Sequence, residues 1–179
     1  MTKRIIATLV AAILIFLWQF LSWSILNVHG SEMQYTDKQD AVLQVLSQNL
    51  KEGTYYLPNL PPGSTSEQQA AYMESATGKP WAQVTYHEAM SSNMGMSMFR
   101  GFLIDFLAAF LLIWMLGKMA NPSFQTILLS SLAVGIIGYL TIPYLNTIWF
   151  ETSSLAYLVD AVAQWGLVGV WLGWYLNRK

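Results

Sequence analysis

The chain has 179 residues, of which 54% are hydrophobic and only 11% charged, and its formal net charge is −1. Soluble domains carry about 25% charged residues, so the class is membrane, and the near-zero charge gives no electrostatic case for a nucleic-acid partner. There is no cysteine, which excludes disulfides, thiolate catalysis, iron–sulfur clusters and cysteine zinc sites.

Four apolar runs approach the ~20 residues needed to cross a bilayer. The first is "IIATLVAAILIFLWQFLSWSIL", Ile5 to Leu26. It is too long for the apolar core of a signal peptide, and "LNVHGS" lacks a small-x-small cleavage pattern, so it reads as a retained anchor. The second runs from about Phe99 to Gly117. The third runs from about Phe124 to Pro143, with a kinked continuation to Phe150 left open. The fourth is Ser154 to Leu176. The expected fold is an all-α membrane bundle of four transmembrane helices, with a small extracytoplasmic α+β insertion between helices 1 and 2. The corresponding divisions are residues 1–27, 28–98 and 99–179.

Direction follows from the basic residues. Lys3 and Arg4, Lys118, and Arg178 with Lys179 occupy short ends that hold no acid, whereas 27–98 carries seven acids against three lysines. Positive charge favours the cytoplasmic side, so both termini are expected there, with the long loop outward. Trp18, Trp23, Trp149, Trp165, Trp171 and Trp174 suit interfacial belts or bundle packing.

Within the loop, "TDKQDAVLQVLSQNLKEG" has Thr36 and Gln39 in capping-box spacing, and Val42, Leu43, Leu46 and Leu50 on one face, with Gly53 as a stop. An amphipathic helix with that face in a core is expected. "GTYYLP" reads as a strand, "SEQQAAYMESATG" as a second helix ending at Gly78, and "KPWAQVTYHEA" as a second strand. A domain this small buries little surface by itself.

Asp105 and Asp160 each lie six residues inside a span that enters from the outer side, or ~9 Å below the edge. Gln19 lies seven residues before the outer end of span one. Gln164 follows Asp160 by four residues on the same face. Gln19, Asp105, Asp160 and Gln164 therefore form a candidate intramembrane polar layer, which Thr141 joins if span three ends nearby. Intramembrane acids face the bundle interior or water, and two close carboxylates favour one being protonated. The layer reads either as a hydrogen-bonded anchor between helices or as an outward-facing proton or cation site. No polar path crosses the inner half, which argues against a channel. Gly169 and Gly173 form a G-x-x-x-G, and Ser131, Gly135 and Gly138 add small residues for close helix contact.

"YHEAMSSNMGMSM" places His87, Met90, Met94, Met96 and Met98 just outside span two. Thioethers and imidazole suit Cu(I), but methionine also fills loop–membrane junctions as a flexible apolar side chain. His29, the other histidine, reads as an interfacial polar residue. No cofactor is indicated: with neither histidine inside a span, a bis-histidine haem is excluded there. No nucleophile elbow, phosphate loop or metalloprotease motif occurs, and the flanks "LIDFLA" and "LVDAVA" do not suit a carboxylate-pair protease.

Three stretches together, "FLWQFLSWSILNVH", "GTYYLPN" and "MGMSMFRGFLIDFLAAFLLIWML", resemble a group of small, functionally uncharacterised bacterial four-span inner-membrane proteins. That resemblance implies a bacterial cell membrane and brings no activity or catalytic residues with it. The expectation is a non-catalytic accessory or scaffold subunit, with the bilayer and other membrane subunits as partners. The alternative is a periplasm-facing protein handling ions or copper.

Overall fold

A computed structural model describes residues 2–178. The element order is α1 (Thr2–Phe20), a π-helical turn (Leu21–Ile25), α2 (Gln39–Asn49), β1 (Gly53–Leu57), α3 (Ser66–Ala76), β2 (Ala82–Tyr86), α4 (Met94–Leu116), α5 (Phe124–Tyr139), a second π-helical turn (Leu140–Tyr144), α6 (Leu145–Phe150) and α7 (Leu155–Asn177). The chain divides into two compact units, 2–34 with 93–178 and 35–92.

The first unit holds four helical stretches long and apolar enough to cross a membrane: Thr2–Ile25, Met94–Leu116, Phe124–Phe150 and Leu155–Asn177. Helix α1 packs against α4 and α7, and α7 packs against α5. The pairings are antiparallel. Phe16 meets Phe102 edge-on while Arg4 lies against Gly117, and Trp18 reaches Asp160 while Lys3 reaches the carbonyl of Leu176. The core at the α1 seams is small-residue and aliphatic: Ala7, Ala11, Ala12 and Ile15 against Ala109, Leu112, Ile113, Val168 and Leu172.

Small residues set the α5–α7 approach. An added Cβ at Gly169 would come within 2.9–3.1 Å of Leu128 and Ser131, and one at Gly173 within 2.7 Å of Phe124. The G-x-x-x-G therefore serves a contact inside this chain. Gly138 meets nothing within 4 Å, so it takes no part in that contact.

The third span continues to Phe150 through the π turn. Pro143 has no N–H to give the helical ladder and its ring crowds the preceding turn, which the wider turn accommodates. Thr141 donates back to the carbonyl of Ile137 at 2.7 Å and is exposed, so it does not join the polar layer. Span two begins at Met94, five residues before the sequence expectation. Asn93 caps it by accepting from the amide of Met96 at 3.1 Å.

The second unit pairs β1 and β2 antiparallel, Gly53 opposite Tyr86 through Leu57 opposite Ala82, with α2 and α3 as its helices. Tyr56 stacks on Trp81 at 5.3 Å. The expected capping box at Thr36 does not form. The Thr36 hydroxyl accepts from the amide of Lys38 at 3.2 Å, a local turn that uses the oxygen before a helix can start, and α2 begins at Gln39. The capping box is at Thr65 and Gln68 on α3, which ends before Gly78 at φ +77°. The face expected in a core is only partly covered: Val42 is 50% and Leu43 54% exposed, Leu46 and Leu50 are half-buried, and no residue of α2 is fully buried.

Candidate functional site: a buried acid–histidine clasp

The first π turn follows α1 directly and carries Ser22, which is fully buried, toward α7. Asp160 sits on the first turns of α7 and is itself buried. Its Oδ1 accepts from the indole Nε1 of Trp18 at 2.9 Å and from the hydroxyl of Ser22 at 2.6 Å. Its Oδ2 accepts from Nε2 of His29 at 2.8 Å. The other ring nitrogen of His29, Nδ1, lies 3.1 Å from Oε2 of Glu32. An ionised carboxylate accepts only, so with both acids ionised the imidazole donates from both nitrogens, as the imidazolium. Trp23 stacks on the ring at 3.8 Å and 6°, and Tyr157 meets it edge-on at 4.9 Å. A flat aromatic face over a cation adds attraction.

His29 is buried, which corrects its reading as an interfacial side chain. Burial alone lowers its pKa, but hydrogen bonds and charge from Asp160 and Glu32 outweigh that and raise it above the ordinary 6.5. A histidine raised on folding adds stability that is fully present below its unfolded value and fades as pH rises through the folded value. The midpoint of thermal unfolding in detergent is therefore expected to fall as pH rises from about 6.5 through the raised folded value, and His29→Gln is expected to flatten that slope. A slope unchanged in the variant would place the titrating group elsewhere.

Asp105 is served separately. It is buried, and its Oδ1 accepts from Nε2 of Gln19 at 3.0 Å. Trp18 and Gln19 are neighbours on α1, about 100° apart around its axis, so one helix reaches a carboxylate on each side. The two acids thus share a level at one end of the bundle, and each takes its hydrogen bonds from α1 and the chain that follows it, not from the other. Gln164 lines a cavity of about 280 Å³ together with Gln19, Tyr139, Tyr157 and Asp160. Oδ2 of Asp105 and Oε1 of Gln164 are buried without a hydrogen-bond partner. A carboxylate with one unmet oxygen gains little from its charge. Asp105→Asn is therefore expected to keep the Gln19 contact through its amide oxygen, with expression and unfolding midpoint at or above the parent; Asp105→Leu is expected to lower both.

The methionines do not converge through α4. Met94 and Met98, one turn apart, share a face, while Met96 points about 200° from Met94, and all three are exposed. Met90 is exposed in the preceding loop, and His87 lies 3.3 Å from Oε1 of Glu52 across the strand pair's end. Among the described residues no three His, Cys, Asp or Glu side chains are grouped to hold a metal ion.

Sequence reasoning missed Trp18, Ser22 and His29 as partners of Asp160, and Glu32, Trp23 and Tyr157 as partners of His29. The available signal was "NVHGSE", which sets His29 and Glu32 three residues apart immediately beyond span one, at the end of the bundle where Asp160 enters. No family model, curated protein or solved structure matches the chain.

Proposed function

We propose that the chain is a non-catalytic integral membrane protein that acts as an accessory or scaffold subunit of a larger complex in a bacterial inner membrane, with both termini cytoplasmic and 28–98 outward. The observation that carries this reading is α2. It lies outside the four membrane-length stretches, yet Val42 and Leu43 on its apolar stripe are each half or more exposed. Lipid covers exposed apolar side chains on a spanning helix, whereas an apolar face in the second unit calls for protein cover. The clasp supports the same reading from the other side. Both oxygens of Asp160 accept from donors of this chain, three in all, which suits an anchor between α1 and α7. The orientation rests on Lys3, Arg4, Lys118 and Arg178, and the bacterial membrane on the resemblance described above.

A photo-crosslinking residue at Leu43 in native membranes, with one at Gln48 as control, tests the role. A single heavy partner band from Leu43, recovered with the tagged protein in mild detergent, is expected. No crosslink and a solitary protein would end the subunit reading. A second reading, an outward-facing proton or cation site, draws on the unmet Oδ2 of Asp105. It gains if Asp105→Asn is made at full level but abolishes a cellular phenotype of the parent.

A further inference from the structure

At the opposite end of the bundle from the clasp, the start of α1, the α4–α5 turn and the end of α7 surround a cavity of about 450 Å³. Arg4 and Arg178 line it from the two extremes of the sequence, and Asn121, in the left-handed region at φ +47°, lines it from the turn. Its remaining wall is largely aliphatic, with Ile113, Leu116 and Ile127. Gly117 makes room for one guanidinium: a Cβ there would come 3.0 Å from Nη2 of Arg4. The guanidinium of Arg178 lies 5.0 Å from the ring of Trp174. Among the described residues every ion pair involves a histidine, so no carboxylate among them pairs with either arginine. Lys3 differs, since its ammonium donates to the carbonyls of Leu176 and Arg178 and closes the end of α7.

A second cavity of about 340 Å³ adjoins the first and shares Arg4 and Ile113 with it. It is almost wholly apolar, between α1 and α4, lined by Ile5, Phe106, Phe110 and Trp114. From Trp114 back to Phe106 it follows α4 for eight residues, ~12 Å along the bundle axis. A basic chamber beside an apolar groove along a membrane-length helix, with Arg4 and Ile113 common to both, has the two-part chemistry of a phospholipid.

We infer that this end of the bundle binds one anionic phospholipid, its phosphate between Arg4 and Arg178 and an acyl chain in the α1–α4 groove. Two guanidinium groups match phosphate oxygens in fork geometry, and basic pockets between membrane helices hold anionic headgroups. The inference rests on the membrane reading but is independent of the scaffold role. It also gives Arg4 and Arg178 a task beyond orienting the chain.

The test is native mass spectrometry of the delipidated full-length protein in detergent, offered equal amounts of phosphatidylglycerol and phosphatidylcholine. A single phosphatidylglycerol adduct in about tenfold excess is expected. Arg4→Gln with Arg178→Gln is expected to bring the two lipids to parity. Lys118→Gln, a basic residue outside the cavity, is expected to leave the excess unchanged. Equal binding of the two lipids by the parent protein overturns the inference, and needs no variant to be read. So does an adduct that excess inorganic phosphate displaces completely, which marks a site for free phosphate.

Discussion

Asp160→Ala is expected to destabilise the folded bundle by about 3–5 kcal/mol, the range for a buried ion pair that loses one member. The carboxylate accepts from an indole, a hydroxyl and an imidazolium. Alanine leaves all three donors in place without acceptors, and one of them charged. Denaturant unfolding in mixed micelles, followed by circular dichroism, is the measurement. The informative comparison is the double variant Asp160→Ala with His29→Leu. Removing the cation along with its partner takes away the orphaned charge, so the two losses are expected to add to clearly less than their sum. Strict additivity would mean that the bond between Asp160 and His29 contributes nothing, and the clasp would lose its role as an anchor.

Gly135→Ala is expected to cost about 1–3 kcal/mol, the range for forcing an extra methyl into a packed seam. The new Cβ would overlap the indole of Trp165 and come 2.7 Å from the backbone carbonyl oxygen of Ala161. The indole can turn aside, but the carbonyl moves only if α7 moves. Gly138→Ala, one turn on in the same helix, meets nothing within 4 Å. There the gain in helix propensity is unopposed, and a small stabilisation of about 0.5–1 kcal/mol is expected. Opposite signs at these two glycines in the same unfolding assay would confirm that the α5–α7 seam is set by closeness at Gly135. A harmless Gly135→Ala would show that the helices have room to separate.

Several elements were legible from residue pattern because they depend on local properties. The spans are long apolar runs. β1 ends before Pro58 and α3 stops before Gly78, while β2 ends at Tyr86, short of the His87 and Glu88 that the alternation included. Other readings failed where two local patterns competed. Thr36 and Thr65 both precede a glutamine by three residues, and only Thr65 builds the capping box, because the Thr36 oxygen is taken by a turn first. The stripe on α2 was legible as apolar, but whether another element covers it is not written in the stripe. The methionine run looked like one cluster as text; the early start of α4 turns Met96 away from Met94 and Met98.

For the candidate site the division is sharper. The sequence by itself put Gln19, Asp105 and Asp160 near one level of their helices, with Gln164 one turn further along, because rise per residue along a helix is constant and each apolar run's start shows in its hydropathy. Only the tertiary structure decided which donor meets which acid. That choice depends on rotation about each helix axis and on the order in which the helices pack, and neither leaves a periodic trace in the residues. So Trp18, Ser22 and His29 go to Asp160, Gln19 goes to Asp105, and a histidine lying just past the end of span one becomes the buried cation that joins that end of α1 to α7.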